Sequence, residues 1–173
     1  MKPFNRVAMI GVGLIGGSLG LAIRKKKLAR EVVGVCRRDA SLRLAKKMKA
    51  IDRGTFSPER AVQGADLVVL ATPIRIMPRL VEKIAPHLEK GAIVTDVAST
   101  KGSLVPAIEK RLPRSVAFVG SHPMAGREKS GVRHAVPTLF QGMTCFVIRR
   151  PRSSLKALRT VSLLWRELGS RVK

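Results

Sequence analysis

The sequence predicts an α/β fold with a doubly wound, mainly parallel sheet and helices on both faces. Two observations predict it. Short apolar runs alternate along the chain with segments of helical period, and these runs are too continuously apolar for half-exposed strands. At 173 residues the chain is close to the common size of a single domain, so we expect one domain over residues 1–173.

Apolar periodicity places the individual elements. The predicted strands lie at residues 6–10, 31–36, 67–71, 92–95, 116–120 and 143–148, with a strand cut short at 171–173. The predicted helices are one from Gly16 or Gly17 to Lys27, one for which Asp39 is a candidate cap, and others at residues 77–85, 100–111 and 153–168. Pro86 is expected to end the helix before it.

The charge is strongly basic, with 34 Lys and Arg against 11 acidic residues and a formal net charge of +23. Such an excess favours anionic ligands and attracts nucleic acid nonspecifically. The basic groups lack the interleaved aromatics on which bases stack, and no nucleic-acid recognition motif accompanies them. We therefore expect no specific nucleic-acid partner.

Cysteine usage and hydropathy bear on the compartment. Cys36 and Cys145 show no zinc-ligand spacing, and the histidines show no metal pattern, which favours a reduced cytoplasmic protein without a metal. Residues 7–23 carry no charge and resemble a signal peptide or short membrane span. Five glycines and a serine interrupt them, however, and a strand, turn and helix start explain that spacing better.

Residues 11–16 match the pattern GxGxxG directly after a strand and at the start of a helix, a context typical of a Rossmann-type dinucleotide site. The first glycine permits the tight turn, the second lets the backbone approach a pyrophosphate, and the third lets the helix pack on its strand. The alternative is a glycine-rich turn without a ligand. The predicted cofactor contacts here are Gly11, Gly13, Leu14, Ile15 and Gly16.

The end of the second strand bears on the choice between NAD and NADP. NAD-selective sites place an acidic residue there to bind the ribose hydroxyls, whereas this chain has Cys36. Neutral Cys36 does not repel a 2′-phosphate, and Arg37 and Arg38 can pair with one, so we expect NADP to be preferred. Alternatively, the arginines form a solvated strand end, or Asp39 binds the ribose.

Three segments resemble the prephenate and arogenate dehydrogenase family. The run Gly-Ser-His-Pro-Met-Ala-Gly at residues 120–126, continuing as Glu-Lys-Ser-Gly at 128–131, resembles the family signature. Residues 95–101 resemble the family's loop after the fourth strand, and Ala71, Thr72 and Pro73 resemble its cofactor-side loop. The similarity extends from about residue 7 to residue 148.

The resemblance implies NAD(P)-dependent oxidative decarboxylation of prephenate or arogenate, a step of tyrosine biosynthesis. It makes His122 the hydrogen-bond acceptor for the substrate hydroxyl, because neutral imidazole suits that task. Ser99 would orient His122 or the nicotinamide, and Glu128 would lie on the substrate side. Arg127 departs from the family's usual small residue, and either contacts a dicarboxylate or faces solvent. Alternatively, His122 only satisfies backbone groups, and Ser99 caps the following helix.

Family members continue into a helical domain that forms a homodimer and completes the substrate site, so we expect this chain to be the nucleotide-binding part of a truncated member. A chain that supplies only one side of the substrate cleft should bind the cofactor but catalyse the reaction slowly. Two other classes of function stay open. One is another NAD(P)-dependent dehydrogenase or imine reductase of a small acid. The other is a noncatalytic NADP-binding or basic nucleic-acid-binding module.

Overall fold

A large parallel sheet forms the centre of the fold in the computed structural model, which describes residues 1–150 and 154–173. Its six strands have the order β3-β2-β1-β4-β5-β6, and every neighbouring pair is parallel. The strands are β1 (Phe4–Ile10), β2 (Ala29–Val35), β3 (Arg53–Thr55), β4 (Leu67–Leu70), β5 (Ile93–Asp96) and β6 (Ala117–Val119). The predicted fold class is confirmed.

Helices cover both faces of this sheet. Alternate residues of a strand point to opposite sides, so the strands contribute apolar side chains to a separate core on each face. Val7 and Met9 of β1 belong to one core, whereas Ala8 and Ile10 belong to the other. The first core includes α1 (Leu14–Lys25), α2 (Asp39–Lys47) and α6 (Leu155–Glu167), and the second includes α3 (Pro58–Val62), α4 (Met77–Ile84) and α5 (Leu104–Glu109).

A second, three-stranded sheet follows β6. It contains β7 (Ser121–Pro123), β8 (Thr144–Val147) and β9 (Arg171–Val172), with β7 antiparallel to β8 and β8 parallel to β9. The predicted strands at 143–148 and 171–173 therefore exist as β8 and β9, and β8 lies between β7 and β9 in this second sheet. The elements β7, β3 and α3 were not predicted, because they are too short to show a period.

Three predicted helix ends are wrong. Helix α1 begins at Leu14, before the predicted Gly16 or Gly17, since Gly13 is its N-cap. Asp39 does not cap α2; it is the first helical residue, and its carboxylate pairs with Arg43 at 2.6 Å one turn later. Helix α5 begins at Leu104, so Ser99 does not cap it.

Other boundaries shift less. After α4 the chain continues through Pro86 as a 3-10 turn, Ala85–His87, before it becomes extended. The predicted start of the last helix at Ser153 lies outside the described residues, and in the described chain α6 is capped by Ser154, whose hydroxyl accepts a hydrogen bond from the Ala157 N–H at 3.3 Å. Residues 7–23 form the second part of β1, the glycine turn and most of α1. Within the described ranges, no helix has the length and apolarity to cross a membrane.

Candidate functional site

The glycine turn lies at the point where the sheet order reverses. Strands β1 and β4 are neighbours, and the chain leaves them toward helices on opposite faces, which opens a crevice at their carboxyl ends. Gly11 follows β1, and Ala71 and Thr72 follow β4, so the two segments meet in that crevice. A ligand of an open parallel sheet binds at this position.

Each motif glycine has a different surrounding. Gly11 has φ +99°, and a Cβ on it would lie 2.6 Å from the carbonyl oxygen of Ala71. A Cβ on Gly16 would lie 2.0 Å from the carbonyl oxygen of Gly11, so only glycine lets α1 start against the turn. A Cβ on Gly13 would meet no atom within 4 Å. The open side of the turn is therefore at Gly13, where a phosphate group would approach.

The start of α1 supplies hydrogen-bond donors to that open side. The first hydrogen bond of the helix runs from the Gly17 N–H to the Gly13 carbonyl at 2.9 Å, so the N–H groups of Leu14, Ile15 and Gly16 precede it and have no partner within the helix. Such N–H groups and the positive end of the helix dipole form a site for an anion.

A cavity of about 820 Å³ adjoins the turn. Of the predicted cofactor contacts, Gly11, Gly13, Thr72 and Pro73 line it, whereas Leu14, Ile15 and Gly16 do not. The Thr72 hydroxyl is buried and, within the described chain, has no hydrogen-bond partner. A buried polar atom of this kind usually has a ligand or water as its partner, so the residues present fit a bound dinucleotide.

The end of β2 brings cations to the same cavity. Cys36, Arg37 and Arg38 line it, and both arginines are exposed. Burial raises the pKa of the Cys36 thiol, so this residue stays neutral. Arg133, in a 3-10 turn, lines the cavity as a third cation that the sequence analysis missed, because nothing in the local pattern links that segment to β2.

A buried ion pair lies at the carboxyl end of β5. Asp96 is 0% exposed, and its carboxylate accepts hydrogen bonds from the ammonium group of Lys101 and from the Ser121 N–H, the latter at 3.2 Å. The Lys101 ammonium group also donates to the Ser121 carbonyl at 2.6 Å. Burial raises the pKa of Asp96 and lowers that of Lys101, while their mutual attraction opposes both shifts. The pair joins the β5 loop to the start of β7.

His122 is the next residue of β7 and is half-buried. Its ring centroid lies 6.5 Å from that of Phe146 on the paired strand. Burial lowers the pKa of His122, and the positive charge of Lys101 lowers it further, although the Asp96 carboxylate acts in the opposite direction. The neutral imidazole is favoured, and neutral imidazole can accept a hydrogen bond or a proton.

Three other predicted site residues are exposed. Ser99 is exposed in the bend between β5 and α5, and among the described residues no hydrogen bond joins it to His122. Arg127 and Glu128 are exposed in the loop that follows β7. Sequence reasoning did not single out Asp96 and Lys101, although an acidic residue directly after a buried apolar run was a signal for them.

This geometry can be compared with that of known proteins. The family model described as "Prephenate dehydrogenase, nucleotide-binding domain" matches residues 19–173, most of the chain. The chain belongs to the prephenate dehydrogenase family. The matched part of the family is its nucleotide-binding domain, and the match begins just after the glycine turn at residues 11–16.

Curated relatives carry family names. The prephenate dehydrogenase of Bacillus subtilis (strain 168) is 38% identical over 138 residues, covering 79% of this chain and 37% of the relative. The cyclohexadienyl dehydrogenase of Zymomonas mobilis is 33% identical over 175 residues, covering 99% of this chain and 58% of the relative. The chain thus spans from about a third to somewhat over half the length of these relatives.

Solved family structures share the fold. Prephenate dehydrogenase from Aquifex aeolicus in complex with hydroxyphenyl propionate and NAD+ superposes with a TM-score of 0.90 at 32% identity, over 98% of this chain and 59% of that one. Synechocystis arogenate dehydrogenase superposes with a TM-score of 0.89 at 27% identity, over 97% of this chain and 58% of that one. The Aquifex aeolicus structure therefore holds a nicotinamide dinucleotide on the fold that this chain shares.

Proposed function

We propose that this chain is the cofactor-binding part of an NADP-dependent prephenate or arogenate dehydrogenase, which oxidatively decarboxylates its substrate on the route to tyrosine. Two observations support the proposal: an open glycine turn follows β1, and a histidine whose neutral form is favoured follows β6, at the same carboxyl edge of the large sheet. The turn suits a dinucleotide, and the histidine suits a hydroxyl substrate.

The binding steps are assigned to named groups. The pyrophosphate contacts the backbone at Gly11 and Gly13 and the N–H groups of Leu14, Ile15 and Gly16. The Thr72 hydroxyl, which lacks a partner in the described chain, hydrogen-bonds the cofactor beside Pro73. Arg37 and Arg38 pair with the 2′-phosphate next to neutral Cys36, and this arrangement supports NADP over NAD.

The chemical step assigns a proton acceptor to His122. A bound oxidised nicotinamide supplies the hydride acceptor. As hydride leaves the ring carbinol carbon, a ring nitrogen of His122 takes the proton of the substrate hydroxyl. The carboxylate then departs as carbon dioxide, its bonding electrons make the ring aromatic, and the ring oxygen recovers a proton to give a phenol. Ser99 orients the nicotinamide, while Glu128 and Arg127 act on the substrate side.

The rest of the assignment concerns the complete protein. The relatives are longer than this chain, so we propose that a further helical domain completes the substrate site and forms a homodimer. Both cysteines of the chain are buried free thiols. A reduced state of this kind supports a cytoplasmic location.

Cofactor titration tests the proposal. We expect isothermal titration of the chain with NADP+ and with NAD+ to show saturable binding of both, with NADP+ about tenfold tighter because of the added charge-assisted contacts. A His122→Asn variant should retain that affinity, since His122 contacts the reacting end. If neither dinucleotide binds, the proposed cofactor site is wrong. If both bind with equal affinity, the proposed preference for NADP is wrong.

A further inference from the structure

A second concave surface lies at the opposite edge of the large sheet, where α1 and α2 end and β2 begins. It encloses about 540 Å³. Five cationic side chains and one carboxylate line it, and we call it the basic pocket: Arg24, Lys25, Lys27, Arg30, Lys49 and Asp52. The glycine turn is at the carboxyl ends of the strands, so the two sites do not share residues.

Two of these lysines have an unusual backbone. Lys27 has φ 54° and Lys49 has φ 60°, and in the described part of the chain they are the non-glycine residues with positive φ. Each follows a helix: the Lys27 N–H donates to the Arg24 carbonyl at 3.1 Å, and the Lys49 N–H donates to the Lys46 carbonyl at 2.9 Å. The next residues, Leu28 and Ala50, donate to carbonyls five residues back, both at 2.9 Å. These are Schellman motifs, in which glycine is preferred.

Helix α6 ends in the same motif with glycine. Gly169 has φ +92° and donates to the Arg166 carbonyl at 2.9 Å, and the next residue donates to the Trp165 carbonyl at 3.0 Å. The same backbone requirement is therefore met by glycine at the end of α6 but by lysine at the two helix ends that border the basic pocket. A left-handed conformation is strained for lysine, so its backbone role does not explain the choice.

The charges of the pocket are available to a ligand. The Schellman hydrogen bonds already occupy the last carbonyls of α1 and α2, and within residues 1–150 and 154–173 no carboxylate pairs with Lys25, Lys27 or Lys49. Asp52 does not neutralise them, because its oxygens accept from Arg24 at 2.7 Å and from the Val32 N–H at 2.8 Å.

We propose that the basic pocket binds a compact anion bearing several phosphate groups, with Lys27 and Lys49 as its principal contacts. The pocket is concave and bordered by two helix ends that Arg24 ties together through the Lys49 carbonyl and Asp52. No aromatic residue lines it, so it offers no stacking platform for bases. A short polyphosphate fits that combination better than an extended nucleic-acid backbone.

The test uses sodium tripolyphosphate and variants that separate charge from strain. Lys27→Gly/Lys49→Gly removes both charges and relieves the strained backbone, so tripolyphosphate should bind about tenfold more weakly while the melting temperature is unchanged or higher. Lys27→Gln/Lys49→Gln removes the charges and keeps the strain, and should weaken binding equally. Lys27→Arg/Lys49→Arg should retain the affinity.

Matched controls distinguish a site from diffuse attraction by the net charge of +23. Lys90→Gln/Lys110→Gln removes the same charge elsewhere and should leave the affinity within about twofold, since it only alters the screened general field. In amide NMR spectra, tripolyphosphate should shift Lys27 and Lys49, whereas NADP+ should shift Gly11 and Gly13. Equal weakening by the control pair, absence of binding, or tighter binding of an oligonucleotide through the same lysines would overturn the proposal.

Discussion

The pKa of the His122 imidazole depends on its burial and on the charged residues near it. Burial and the Lys101 charge hold its pKa below the ordinary value, against the opposing effect of Asp96. Between that lowered pKa and about 6.5, the unfolded chain binds more protons at His122 than the folded chain does. This histidine therefore makes stability rise with pH across that window, and its stabilising contribution is lost as pH falls through it.

Removal of Lys101 should raise the pKa of His122. The substitution Lys101→Met takes away a positive charge and leaves the Asp96 carboxylate uncompensated, and both changes favour the imidazolium ion. NMR titration of the His122 ring protons measures the shift. An unpaired buried carboxylate also destabilises the fold, so Asp96→Asn/Lys101→Met serves as a second variant. Its His122 pKa should lie closer to that of the unmodified chain, and an unchanged pKa in Lys101→Met would contradict the assigned electrostatics.

Substitutions at the end of β2 should change cofactor preference. Arg37→Ala should weaken NADP+ binding about tenfold and leave NAD+ binding nearly unchanged, because only NADP+ carries the 2′-phosphate. Lys90→Ala removes the same charge far from the cavity and serves as the control. Isothermal titration with NADP+ and with NAD+ measures the ratio of the two affinities. Parallel loss of both affinities, or none, would show that Arg37 does not select the cofactor.

Two glycines of the turn should have different roles, one in binding the dinucleotide and one in stabilising the fold. Gly13→Ala should leave the melting temperature close to that of the unmodified chain, since the added Cβ meets no atom within 4 Å, yet weaken dinucleotide binding at least about tenfold by occupying the ligand's space. Gly16→Ala should destabilise the fold by roughly 1–3 kcal/mol, because its Cβ would lie 2.0 Å from the Gly11 carbonyl oxygen. Thermal denaturation and titration of both variants separate the two effects. The interpretation fails if Gly13→Ala unfolds the chain while retaining affinity.

The ends of elements were set by contacts that local patterns do not contain. Residues 100–103 have helical neighbours in sequence, but Lys101 turns inward to Asp96 and Ser121, and α5 begins only at Leu104. Asp39 has the side chain of an N-cap, but it pairs with Arg43 inside the helix. The buried Lys101–Asp96 pair accounts for the later start of α5, whereas the exposed Asp39–Arg43 pair is too weak to explain why Asp39 lies inside α2.

The net charge of +23 should make stability depend on ionic strength. Screening weakens self-repulsion among cations spread over the surface, so we expect the melting temperature to rise by about 2–4 °C between 10 mM and 150 mM sodium chloride. Differential scanning calorimetry measures it. Sodium sulfate at equal ionic strength is the comparison, because a larger rise with sulfate indicates specific anion sites and not screening alone. A melting temperature that falls with salt would mean that the nine ion pairs of the described chain outweigh the repulsion.

The fold class, the glycine turn and the family can all be predicted from local and periodic features of the amino-acid sequence. Apolar runs of strand length between helical periods admit few arrangements, and a GxGxxG pattern between a strand and a helix has a mechanical meaning at each glycine. The run at residues 120–131 carries the resemblance directly. These features are local or periodic, so they can be read without knowing which segments meet.

The three-dimensional structure was needed to show which groups interact with one another. The approach of Lys101 to His122, the contribution of Arg133 to the cofactor cavity and the convergence of Lys27 with Lys49 join segments far apart in the chain. The second sheet likewise depends on β8 meeting both β7 and β9. Electrostatic effects depend on distance and burial in space, and neither quantity is encoded in the spacing of residues along a chain.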